Sequence, residues 1–238
     1  PRDRVVDVGC GTGKFSRLLF SGCKLHHPVY GLDPFLLKPQ ADPQMLSLPA
    51  VGAVEFAQRV EEFASAAAPA APDDGPAVLN KVLLKEVVHH ISDEFGEMCR
   101  HLAGYFRRAG HPDCTLLVAT RSSDPAAYPF FAAAKEAWRE GQEDAGVYAR
   151  HMEDAGFDDV TCVRRSFRVE MSVDRWRAMV RNRFWSNFGG LSDEQIEAGL
   201  EAMGDFDEFL VEPGSSQLAF DDTFIFVVGR IGDAARGA

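Results

Sequence analysis

Val5-Val6-Asp7-Val8-Gly9-Cys10-Gly11-Thr12-Gly13 is an apolar, β-branched run that ends in an acid and turns at once into D-x-G-x-G-x-G. Lys14-Phe15-Ser16-Arg17-Leu18-Leu19 follows with helical spacing, which puts the glycines at a strand-to-helix turn. Glycine there admits φ > 0 and lets a ligand come close to the backbone. The dinucleotide-binding form of this turn is G-x-G-x-x-G, and counted from Gly9 its third glycine falls on Lys14. That departure disfavours a nicotinamide oxidoreductase.

A second signal lies in register with the first. Val29-Tyr30-Gly31-Leu32-Asp33 reads as another short strand ending in an acid, about 20 residues beyond Gly13, where a ribose diol is met in nucleotide-binding β-α-β units. A carboxylate can accept both ribose hydroxyls, a contact that neutral side chains match poorly. Together the turn and Asp33 point to a nucleoside-type cofactor.

Around these motifs strand and helix patterns alternate, which argues for a parallel sheet covered on both faces. Strands are expected near 4–8, 28–32, 53–58, 77–85, 114–120, 159–170 and 223–229. Four prolines (34, 39, 43 and 49) rule out one continuous helix over 34–50. Residues 60–64 read as a short helix, and Ala66 to Pro76 as a low-complexity connection. Ser92 or Asp93 is expected to cap a helix stopped by Gly110, and Asp124-Pro125 to open another as N-cap and N1. Gly156 reads as the C-cap of a further helix. Residues 172–206 read as inserted helices, capped by Ser172 and by the Ser192-Asp193-Glu194-Gln195 capping box.

With 238 residues, 46% hydrophobic composition and 18 Phe, the chain can bury a sizeable core as one domain with an inserted cap. A net charge of −11 and the lack of any basic block disfavour a nucleic-acid or anionic-membrane partner. Five cysteines without C-x-x-C spacing, and no secretory signal, favour a reducing, cytoplasmic setting. His26-His27 and His151 lack a carboxylate or cysteine framework, so no metal is expected.

The order of elements and the turn resemble the class I S-adenosylmethionine-dependent methyltransferases, particularly the small-molecule branch called methyltransferase type 11, over roughly residues 4 to 230. The resemblance implies a Rossmann-like α/β fold with a seven-stranded, mostly parallel sheet. Its last strand, 223–229, would insert antiparallel beside the strand at 114–120, and a helical cap would occupy about 172–206 of a single domain. It implies S-adenosylmethionine as cofactor, held by Asp7, Gly9, Cys10, Gly11, Gly13, Asp33, Pro34, Val60 and Lys85. Asn80 stands where the family usually has Asp, far from the cofactor, and Gln58-Arg59-Val60-Glu61 replaces the usual adenine-side residues, leaving Val60 to offer its backbone N–H. Family members carry helices before the first strand; this chain starts at Pro1, so the same resemblance implies that those helices are missing and that turnover by residues 1–238 is compromised.

Methyl transfer needs an in-line nucleophile, close approach and exclusion of water, and no covalent enzyme nucleophile. Lys85 and His89 follow the strand at 77–85 on the ligand side of an open sheet, as candidates to orient or deprotonate the acceptor, or simply to turn the chain. Tyr128, Phe131 and Trp185, with Arg181 or Arg183 for an anionic group, could wall an acceptor pocket; packing between cap and core is the plainer role. Arg181 with Trp185 is the better i, i+4 helical pair, and Arg183 is the alternative if the helix ends early. Acceptor, acceptor atom and oligomeric state are not legible. A cofactor-binding but inactive partner subunit is the main alternative; a macromolecular methyltransferase is disfavoured by the lack of a basic groove.

Overall fold

The computed structural model describes residues 3–33, 79–111, 113–204 and 206–231. β1 (Val5–Val8) leads through the glycine turn into α1 (Lys14–Gly22), followed by β2 (Tyr30–Leu32). β3 (Lys81–Lys85), α2 (Phe95–Ala109) and β4 (Cys114–Arg121) repeat the strand-helix-strand pattern. Then come α3 (Ala132–Gly141), α4 (Ala145–Asp154), β5 (Asp158–Ser172), α5 (Val173–Arg181), α6 (Asp193–Ala202) and β6 (Gln217–Ile231). The strands expected near 53–58 and the helix at 60–64 lie outside the described residues, as do the cofactor candidates Pro34 and Val60.

Six strands form one sheet among the described residues, in the order β2-β1-β3-β4-β6-β5. β1 pairs in parallel with both β2 and β3, and β3 in parallel with β4. Between β5 and β6, Ser166 meets Thr223, Arg168 meets Asp221 and Asp159 meets Arg230. Residue numbers rise on one strand as they fall on the other, so this pair is antiparallel. The closing strand lies beside β4, the neighbour the resemblance implies, with β5 on its other side. No helix of the described residues is long and apolar enough to cross a membrane.

The parallel strands carry apolar runs because they are buried on both faces: Val6, Val82, Leu84, Leu116 and Val118 are at most 1% exposed. At their entry, Asn80 joins three segments, accepting from the Arg4 N–H and donating to Asp3 Oδ1 and the Asp113 carbonyl. Asn80 is 2% exposed, so losing any partner would strand a buried polar group. Its place at the sheet entry agrees with a role away from the cofactor.

Two helix starts differ from the sequence expectation. Neither Ser92 nor Asp93 caps α2; two 3₁₀ turns, Val88–His90 and Ser92–Glu94, lead into Phe95 instead. Asp124-Pro125 does not open a helix either. Asp124 accepts from the Ala126 N–H in a tight turn, and helix waits until Ala132. Pro129 explains the delay: it disfavours helical geometry at Tyr128 and donates no N–H, so the chain passes through turns at 125–130 and an extended Phe131 before the helix begins. Gly110, by contrast, ends α2 in the left-handed region as expected. Both inserted helices start where expected: Ser172 accepts from Arg175 N, and Ser192 with Gln195 makes the reciprocal capping box.

The chain divides into two compact units. One takes in Pro1–Thr120, Gly146–Val163 and Phe226–Ala238; the other Arg121–Ala145 and Arg164–Ile225. The second unit therefore extends beyond the 172–206 insertion. Its core is aromatic: Tyr128, Phe130, Trp138, Trp176, Trp185 and Phe188 are buried together. Phe130 sits at the centre, stacked on Trp176 at 5.2 Å and edge-on to Trp185 and Phe188 at 5.1 and 5.0 Å. Such pairs contribute about 0.5–1.5 kcal/mol each beyond their buried area.

Candidate functional site

The first unit brings Asp7, Gly9, Cys10, Gly11, Gly13, Asp33 and Lys85 together at the C-terminal edge of the parallel strands. Gly9, Gly11 and Gly13 adopt φ of 71°, 52° and 71°. A side chain at any of them would be strained, and this alternation of left-handed glycines is what folds the loop back over β1 and β2. Gly9 and Cys10 both donate their N–H groups to the Leu32 carbonyl, at 2.7 and 3.2 Å. Gly9 has a second constraint: a Cβ there would lie 2.5 Å from Val87 Cγ2. At Gly11 no described residue stands within 4 Å of where a Cβ would be, whereas Gly9 is packed against Val87.

Asp33 closes the loop from the end of β2, accepting the Gly11 N–H at 2.9 Å. Asp7, 2% exposed at the middle of β1, accepts a short hydrogen bond from the Ser16 hydroxyl on α1. Burial pushes the Asp7 carboxyl above its ordinary pKa; the Ser16 bond and the Lys85 ammonium oppose that rise, and the Asp33 carboxylate adds to it. Lys85 lies over the Phe15 ring, 5.1 Å from its centroid. Burial, with the charges of Asp7 and Asp33, pushes the Cys10 thiol up to about 12, so it stays protonated and unreactive.

His89 belongs to the 3₁₀ turn after β3. Burial, helped by the neighbouring His90, pushes its imidazole down to about 4. It is therefore neutral near pH 7 and a weaker proton acceptor than free imidazole. Glu86, just after β3, takes a left-handed φ of 56°. A non-glycine residue in that region costs about 1–2 kcal/mol and here marks the rim of the site.

The acceptor candidates lie in the second unit and are not all brought together. Tyr128, Phe131 and Trp185 share its apolar core, at 1%, 6% and 8% exposure. Tyr128 donates to Asp222 at 2.6 Å, and Asp222 also takes a two-pronged contact from Arg121. Burial first, and then that acid, push the Tyr128 hydroxyl far up. Arg181 and Arg183 hold α6 instead: Arg181 grips Glu197 through Nε and Nη2, and Arg183 binds Asp193 and the Leu191 carbonyl. The expected helical pair of Arg181 with Trp185 does not form. α5 ends at Arg181, Asn182 caps it, and Arg183 turns left-handed at φ 48°, which breaks the i, i+4 relation.

Ser16, Phe15 and Val87 were not singled out from sequence. Ser16 alone had a usable signal: a hydroxyl in the first helical turn after the glycines can reach back to the strand that precedes them. Among the described residues, no three His, Cys, Asp or Glu side chains converge as a metal-holding group.

No family model matches the chain, and no curated protein matches it in sequence. Solved structures do match in fold. The YcgJ protein of Bacillus subtilis is 16% identical, with 98% of this chain aligned to 93% of that one at a TM-score of 0.56. A candidate methyltransferase from an antibiotic biosynthesis pathway of Anabaena variabilis is 17% identical, covering 95% and 91%, with a TM-score of 0.55. Phosphoethanolamine N-methyltransferase 2 of Haemonchus contortus, solved with phosphomonomethylethanolamine and S-adenosylhomocysteine, is 14% identical; 97% of this chain covers 49% of that one at a TM-score of 0.50. The chain has the mixed α/β fold of the class I S-adenosylmethionine-dependent methyltransferases.

Proposed function

We propose that this chain binds S-adenosylmethionine at the Gly9–Gly13 turn and transfers its methyl group to a small-molecule acceptor. The observation that carries this is the loop itself: three left-handed glycines pinned by Asp33 at the C-terminal edge of a parallel sheet. The residues fit the cofactor's chemistry, with one acid within β1, one just after β2 and backbone N–H groups between them. Neighbours of the same fold support it, since the Haemonchus protein has been solved with S-adenosylhomocysteine and with S-adenosylmethionine.

In this assignment Asp33 accepts from the ribose hydroxyls, Asp7 faces the ammonium of the methionyl end, and the Gly9, Cys10, Gly11 and Gly13 backbone lines the cradle. Bound S-adenosylmethionine supplies a methyl group on a sulfonium, which an in-line nucleophile displaces. Lys85 adds a cation at the rim and orients an electron-rich acceptor, while His89 acts as a neutral hydrogen-bond partner. Tyr128, Phe131 and Trp185 form the rigid framework of the acceptor-selecting unit, and Arg181 and Arg183 fix α6 within it. Isothermal titration with S-adenosylmethionine, S-adenosylhomocysteine and NAD tests the assignment. Binding of the first two without NAD supports it, and the reverse overturns it.

A cofactor-binding but inactive partner is the second reading. Methyl release over a panel of hydroxyl, amine and thiol acceptors separates the two.

A further inference from the structure

Asp7 is a charged group in a poor place for charge. It sits in the middle of a buried strand, 2% exposed, with a second carboxylate, Asp33, near enough to disfavour its ionisation. Two groups work in the opposite direction. One is the Lys85 ammonium from the end of β3; the other is the Ser16 hydroxyl, which reaches from the first turn of α1 to Oδ2 of Asp7. The Cys10 thiol beside them stays neutral near pH 7.

Ser16 differs from Lys85 in what it fixes. An ammonium lying over the Phe15 ring acts on Asp7 through space. A hydroxyl hydrogen bond is directional: it engages one oxygen, sets the plane of the carboxylate and turns the other oxygen towards a ligand's ammonium. Ser16 has a neutral backbone setting for this task. α1 starts from Gly13 with no side-chain cap, and its first turn carries no acid. The serine hydroxyl is therefore not spent on capping the helix.

We propose that Ser16 is a positioning residue for methyl-donor binding, acting through Asp7 by holding its carboxylate ionised and turned to receive the donor's ammonium. This rests on the donor assignment made above. Sequence motifs for the turn end at Gly13; the inference extends the functional unit three residues into the helix.

The sign follows from the geometry. Ser16 favours the charged form of Asp7, so removing it raises the pH at which Asp7 takes up a proton, and donor affinity fails sooner as pH falls. Two measurements test this on the full chain. Carbon-13 NMR of the ligand-free protein follows the Asp7 carboxyl in wild type, Ser16→Ala and Ser16→Thr. Calorimetry follows S-adenosylhomocysteine affinity between about pH 5 and pH 8 in the same three proteins. The expected result is an upward shift of the Asp7 titration in Ser16→Ala, with an affinity loss of about tenfold near pH 6 that shrinks towards pH 8, the scale of one hydrogen bond to a charged group. Ser16→Thr, which keeps the hydroxyl, should follow wild type in both.

An Asp7 titration unmoved by Ser16→Ala overturns the proposal, as does a shifted titration with an unchanged affinity profile. A Ser16→Thr protein that behaves like Ser16→Ala also overturns it, because the role would then belong to side-chain shape. If wild type itself fails to bind S-adenosylhomocysteine, the donor assignment falls, and that outcome is separate because the NMR titration needs no ligand.

Discussion

The two units use residues of the same chemical kinds for opposite ends. In the first, two carboxylates and a lysine crowd a glycine turn, and burial holds the Asp7 carboxyl above its ordinary pKa. In the second, Arg181 and Arg183 are each paired with an acid of α6, and the aromatic rings pack on one another at about 5 Å. Local cost is what separates them. Burying the Asp7 carboxyl near a second acid lowers stability, whereas the ion pairs of Arg181 and Arg183 and the rings packed around Phe130 hold the second unit together.

The largest effect that could break this comparison is on the aromatic core. Trp176 is fully buried and donates its Nε1–H to the Pro129 carbonyl. Trp176→Ala should cost about 3–5 kcal/mol by cavity formation, read from chemical denaturation. A loss below about 1 kcal/mol would mean that these rings line a pocket rather than fill a core.

At the turn, Asp33→Ala should weaken S-adenosylmethionine and S-adenosylhomocysteine together by about 10- to 100-fold, equivalent to about 1.5–3 kcal/mol, in calorimetry. Gly9→Ala should lower stability by about 2 kcal/mol, through its left-handed φ and the overlap with Val87. Asp7→Asn sharpens the contrast further. A carboxyl whose folded pKa is raised stabilises the fold fully below its ordinary pKa, and that contribution is lost as pH rises through the raised value. The uncharged amide should therefore keep or raise the melting temperature near pH 7 while donor affinity collapses. A parallel loss of both would show that Asp7 is structural.

His89 gives the reverse pH dependence. Its imidazole is held down to about 4, so its contribution to stability is complete above the ordinary value of about 6.5 and is lost as pH falls from there through about 4. His89→Asn should flatten the acid limb of a stability profile in that window; an unchanged limb would remove His89 from the buried face. The smallest effect belongs to Arg181, whose side chain is 48% exposed beside Glu197. Arg181→Ala should leave the melting temperature unmoved, because exposed ion pairs are screened by water.

The glycine turn was legible because its backbone demands are written in consecutive residues. Glycines that adopt φ > 0 restrict the backbone directly. The cap was less legible. Tyr128, Phe131 and Trp185 have a pocket's composition, but composition says nothing of whether rings face a ligand or one another. The helix start after Asp124 was misread for a related reason: the N-cap signal is local, and Pro129 overrides it five residues later.

What this sequence determines alone is therefore the alternation of strand and helix, the glycine turn with Asp7 and Asp33, and the caps at Ser172 and Ser192, all set by residues within a turn or two of each other. Tertiary structure decided the rest. It brought Ser16 onto Asp7, set Val87 against Gly9, let Asn80 bind three segments, and matched Arg181 and Arg183 to α6. Each of these contacts joins residues on different elements, and whether two side chains meet there depends on how those elements pack rather than on the spacing of residues along one of them.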